Sequence, residues 1–91
     1  MGFISYKNKF NIKYGFDKDE SHSIATISKL TGYKKEGLKI IYDKGMGAYF
    51  TNPSSVRKQV NSPQQWAMAR IYSAVMGGKA SIIDANHLTK I

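Results

Sequence analysis

Cysteine is absent from the chain, which removes disulfide staples, thiolate nucleophiles and Cys-ligated zinc together and leaves apolar packing or a partner to hold the fold. Acid is also scarce, with six Asp and Glu against fourteen Lys and Arg. No window approaches the roughly 18 uninterrupted apolar residues of a membrane span. The start Met1-Gly2-Phe3-Ile4-Ser5-Tyr6-Lys7 lacks the long apolar block of a secretion signal. These absences lead us to expect a soluble, intracellular protein with no membrane partner. The two histidines, His22 and His87, stand far apart, with neither a carboxylate pair at useful spacing nor a ligand cluster around them. His22, between Ser21 and Ser23, reads as a helix cap rather than part of a nucleophile arrangement. No catalytic residue, metal or cofactor is expected.

What is present is a chain of 91 residues with a formal charge of +8. A chain this short buries only about 60% of its unfolded surface and cannot divide its core between two units, which excludes large enzymes. The positive balance favours polyanionic partners: nucleic acid, acidic membranes or acidic protein surfaces.

Residues 3 to 16 place Ile4, Tyr6, Phe10, Ile12, Tyr14 and Phe16 at even positions and Ser5, Lys7, Lys9, Asn11 and Lys13 at odd ones. That period of two predicts one or two strands with an apolar and a basic face. A lone hairpin is unstable in water, so this arm must lie on the rest of the fold, a sister chain or a ligand. Acid and turn formers in Gly15-Phe16-Asp17-Lys18-Asp19-Glu20-Ser21 predict a helix start and a boundary near residue 18. Two short helices are expected at about 20–30 and 34–43, broken where Gly32 takes the left-handed conformation. The stretch from Ala48 to Asn61 holds too many turn formers for regular structure. Ser62 as N-cap, Pro63 at the first helical position and Gln65 completing a capping box open a third helix that ends at Gly77-Gly78 and is apolar around most of its circumference. It is the expected centre of the core. Ala80 to Ile83 reads as a short strand, with Asp84 capping a last turn. The expected fold is a mainly α (α+β) domain of three helices, with a β arm at 1–18 and a helical domain at 19–91.

Aligning Gly32 with the turn glycine of a helix-turn-helix puts Ile27, Tyr33, Leu38 and Ile41 at the positions that must be apolar where two helices cross. Ser28 then falls where a small residue permits close approach. The run Thr26-Ile27-Ser28-Lys29-Leu30-Thr31-Gly32-Tyr33 resembles the first half of repressor-type helix-turn-helix units. That resemblance implies a second helix in the major groove presenting Lys34, Lys35, Glu36 and Lys39, with Lys29 and Lys44 reaching phosphates. Five lysines against Glu36 and Asp43 leave residues 24 to 44 at net +3. No Arg, Asn or Gln lies on the outer face to read bases, and Gly37 sits inside the recognition helix at a cost of about 1 kcal/mol. The alternative is an ordinary helical hairpin with a solvated lysine face.

The segments Gly45-Met46-Gly47-Ala48-Tyr49, Thr51-Asn52-Pro53-Ser54-Ser55-Val56-Arg57 and Gln64-Gln65-Trp66-Ala67-Met68-Ala69-Arg70 are similar to a small family of uncharacterised proteins from tailed bacteriophages and large DNA viruses. The similarity covers about residues 24 to 90 and implies a viral origin, hence a place in the host cytoplasm or the virion. Gly45, Gly47, Asn52, Arg57 and Lys58 could form a cationic backbone nest for phosphate; the plainer reading is that the glycines let a loop cross the Trp66 helix closely. Arg70 is read as paired with Asp43 or Asp84 and Trp66 as core. Tyr49 and Phe50 either pack on the helix or stack on bases. The expected function is non-catalytic binding of nucleic acid, DNA ahead of RNA, through Lys29, Lys34, Lys35, Lys39, Lys44, Arg57 and Lys58. The alternatives are a virion assembly protein packed on neighbouring subunits and a small inhibitor of a host protein.

Overall fold

A computed structural model describes residues 5–17, 19–51 and 62–91. The first element, α1 (Tyr6–Tyr14), corrects the expected β arm. Tyr6, Phe10 and Tyr14 are even-numbered, but they are also spaced by four, so the same residues line one face of a helix. Caps decide between the two readings. Ser5 Oγ accepts from the Asn8 N–H at 3.1 Å, the Ser5 N–H donates to Asn8 Oδ1 at 3.3 Å, and Gly15, at φ 78°, closes the far end. Phe10 is fully buried, while Ile12, which a strand face would have hidden, is 64% exposed.

The polar residues of α1 tie it to the loop that follows. Buried Asn11 donates from Nδ2 to the Glu20 carbonyl at 2.9 Å, leaving Oδ1 to accept from His22 Nε2 at 2.6 Å. Asn8 Nδ2 donates to the Asp19 carboxylate at 3.3 Å. His22 is therefore not a cap. Its ring packs 5.5 Å from Phe10 and 4.5 Å from Phe16, between centroids, and the cap of α2 (Ile24–Thr31) is Ser23, whose Oγ accepts from the Thr26 N–H.

The next helix, α3 (Lys35–Thr51), continues past the expected end at 43. Gly45 and Gly47, which look like helix breakers, are helical, and Gly45 is there for packing. A Cβ at Gly45 would lie 2.7 Å from Ala67 Cα and 3.1 Å from Ala67 Cβ, so its absence lets α3 lie directly on α4 (Pro63–Val75). The expected irregular stretch from Ala48 is helical to Thr51, and residues 52–61 lie outside the described set.

Helix α4 starts as the sequence predicts, with Ser62 Oγ accepting from the Gln65 N–H and Pro63 in the first turn. It packs on α1, α3 and α5 (Lys79–Ile83), and buries Ala67, Ile71, Tyr72 and Ala74. With Phe10, Ile27, Leu38, Ile41 and Ala80, these residues form the core. Gly77, at φ 77°, turns the chain into α5, which is helical where a short strand was expected. Burial explains that difference: only Ala80 of this segment is buried, while Ile82 and Ile83 point to solvent, so no apolar sheet face exists to pair.

After a 3-10 turn at Ala85–His87 the chain runs back along the α2–α3 turn. The Lys34 N–H donates to the Thr89 carbonyl at 2.7 Å and the Ile91 N–H to the Gly32 carbonyl at 2.8 Å, around an antiparallel bridge of Tyr33 with Lys90. The fold is mainly helical. Among the described residues, no helix is long and apolar enough to cross a membrane.

Candidate nucleic-acid interface

The α2–turn–α3 unit adopts the register that its sequence predicts. Gly32 takes φ 79° and its N–H donates to the Ser28 carbonyl, ending α2. Ile27, Leu38 and Ile41 are fully buried where the helices cross. Ser28 is buried too, and its small side chain donates through Oγ to the Tyr33 carbonyl at 2.5 Å. Gly37 has a reason that local sequence could not reveal: a Cβ there would collide with the His87 carbonyl, because the returning carboxyl-terminal segment presses against the first turn of α3.

This scaffold leaves Lys29, Lys34, Lys35 and Lys39 exposed. Lys34 and Lys35 both line one shallow, open hollow at the start of α3, together with Glu36, Ser28 and Ile91. Lys39 follows Lys35 by one turn on the same side of the helix. Among the described residues, none of these four lysines makes an ion pair. Lys34 occupies the position of a cap, and an ammonium has no acceptor to offer the first-turn N–H groups of α3. Glu36 and Asp43 are exposed beside them, so the face is basic but not uniformly so.

Lys44 stands apart from this group. Its Nζ lies 3.6 Å from Asp84, which is fully buried and held by Arg70 through Nε at 2.8 Å and Nη2 at 3.0 Å. Of the two partners expected for Arg70, Asp84 is therefore the one used. Burial works to raise the Asp84 pKa, but the Arg70 hydrogen bonds and charge, with Lys44 and His87, outweigh it and hold the carboxyl below its ordinary value. Because its carboxylate faces Arg70, Asp84 makes no side-chain cap to the turn after it, contrary to expectation.

The expected phosphate nest is corrected as well. Gly45 and Gly47 sit inside α3, where backbone N–H groups run along the helix axis and cannot converge on an anion. Asn52, Arg57 and Lys58 lie outside the described residues. Sequence reasoning missed Lys90, whose Nζ donates to the Thr31 carbonyl at 2.7 Å and stands 4.0 Å over the Tyr33 ring, adding a cation at the same turn. Trp66 is half-buried, and its buried Nε1 has no hydrogen-bond partner among the described residues. Phe50 does not pack on the helix: it is 67% exposed, its ring edge-to-face with Tyr49 at 5.5 Å.

Residues 4–89 match a family of unknown function, DUF5824. The chain belongs to that family. No curated protein and no solved structure matches it. The match begins ahead of α1 and ends inside the returning segment, so it spans α1, the helix-turn-helix-like pair and α4.

Proposed function

We propose that this chain binds nucleic acid without catalysis, DNA ahead of RNA, through the lysine-bearing surface of α2, its turn and the first half of α3. The observation that carries the reading is the exposure of Lys34 and Lys35 at the opening of α3, with Lys39 one turn further on, none of them in an ion pair among the described residues. Lysines supply charge without bidentate base recognition, so the binding is of the phosphate backbone and weakly selective for sequence. Asp43, one turn beyond Lys39 on the same side of α3, limits the phosphate-binding stretch to the first turns of the helix. A viral setting, in the host cytoplasm or the particle, accords with the motifs in residues 45–70. Of the two motives for an assembly role, the unpaired strand falls away, because α1 is a helix packed on α4 of its own chain.

The test is affinity for a DNA duplex and for a single-stranded oligonucleotide at two salt concentrations. Four phosphate contacts give a slope of log K against log salt of roughly −3 to −4. Replacing Lys34 and Lys35 together by alanine should flatten it by about two contacts' worth. Absence of binding to both DNAs at low salt, or a slope near zero, overturns the reading.

A further inference from the structure

Lys35, Lys39, Met46 and Phe50 are separated by four, seven and four residues, the repeat that returns to one side of an α-helix. They form a stripe along α3 whose amino-terminal half is cationic and whose carboxyl-terminal half ends in an exposed aromatic ring. Eleven residues at 1.5 Å each put about 16 Å of helix between Lys39 and Phe50, a span that a few nucleotides cover. Phe50 is 67% exposed, and its edge-to-face contact with Tyr49, at an interplanar angle of 82°, fixes the ring plane without hiding it. Asp43, exposed between the two halves, repels phosphate there.

Resting on the nucleic-acid reading above, we infer that Phe50 is a stacking platform for an unpaired base, so that the preferred ligand is a single strand whose backbone lies on Lys35 and Lys39 while a base leaves it at Phe50. An aromatic face offers a flat base contact of a kind that lysines lack, and it accepts any base. In a paired duplex the bases are stacked on one another, and Phe50 has nothing to receive. Lys35 and Lys39 on the same side of the helix select a polyanion over a neutral apolar occupant, and Asp43, between them and the ring, turns the phosphates away where a base would reach Phe50.

The experiment compares the full chain with Phe50→Ala, Phe50→Leu and Phe50→Trp, using an oligo-dT strand, a blunt duplex of equal length and vesicles of anionic phospholipid at one salt concentration. Far-UV circular dichroism confirms that each variant folds, as an exposed position permits. The wild type is expected to bind oligo-dT more tightly than the duplex. Phe50→Ala and Phe50→Leu should each lose about tenfold on oligo-dT, with duplex affinity unchanged, and Phe50→Trp should retain it. Full affinity in Phe50→Leu refutes stacking, since leucine keeps the apolar bulk and lacks the flat face. Equal losses on both DNAs, or no loss on either, also refute it. A loss confined to vesicles assigns the ring to a membrane surface instead. Lysine variants that weaken both DNAs leave the lysine reading standing whatever Phe50 does, and a wild type that binds neither DNA ends both.

Discussion

Replacing Gly45 and Gly47 by alanine, one at a time, should move stability in opposite directions although the two lie two residues apart in one helix. Alanine gains about 1 kcal/mol over glycine in a helix interior, because the unfolded glycine has more conformations to lose. At Gly47 a Cβ meets nothing within 4 Å, so most of that gain should be realised. At Gly45 the Cβ would sit 2.7 Å from Ala67 Cα, against an ordinary carbon separation of about 3.5–4.0 Å. Ala67 is fully buried and the near atom is backbone, so α3 and α4 must move apart by about 1 Å. Overpacking of that kind costs about 1–3 kcal/mol, which exceeds the propensity gain and leaves Gly45→Ala destabilised by roughly 1 kcal/mol. Urea unfolding followed by circular dichroism measures both. With a slope of about 1–3 kcal/mol per molar, the two midpoints should part from wild type by about 0.5 M in opposite senses. A destabilised Gly47→Ala, or a Gly45→Ala at least as stable as wild type, would refute a helix running unbroken over the α4 surface.

Three further outcomes follow from other contacts. Asp84→Asn removes the carboxylate that neutralises Arg70 and should cost about 3 kcal/mol, read as a lower urea midpoint at neutral pH. Folded Asp84 titrates below its unfolded value of about 3.9, so its contribution is complete above that pH and is lost as pH falls through the lower folded pKa. The wild-type midpoint should therefore drop more steeply than that of Asp84→Asn on acidification below about pH 4, and parallel curves would count against the linkage. Gly32→Ala forces an L side chain to φ 79° and should cost about 1–2 kcal/mol, a loss of several degrees in thermal midpoint; an unchanged midpoint would mean that the turn is not left-handed.

Where structure was legible in the sequence, the deciding residues are local. Ser62 with Pro63 fixes the start of α4, and Gly32 fixes the end of α2, each through a hydrogen bond within four residues. Tyr6 to Tyr14 misled because three aromatics spaced by four also fall on even numbers, and only the capping pair Ser5 and Asn8 separates the two periods. Gly37 and Gly45 misled for a different reason. Each looks like a flaw in a helix, and each is required by a neighbour, His87 or Ala67, that is remote along the chain. The lysines of the candidate interface were legible as exposed cations at the head of a helix. Removing Lys44 from the group depended on the position of buried Asp84, and Lys90 joins the turn across 59 residues, a distance that no short pattern spans.

The seam formed by Thr89 to Ile91 along the Gly32 turn has a temporal consequence. During synthesis on a ribosome, the two helices and their bend emerge before the strip that latches them, which meets the turn from 59 residues further along the chain. Closing so large a loop comes late and adds to the time before the unit is set. Until then the Lys34 N–H and the Gly32 carbonyl lack the partners that the seam gives them, and a fragment ending before residue 89 would keep them so.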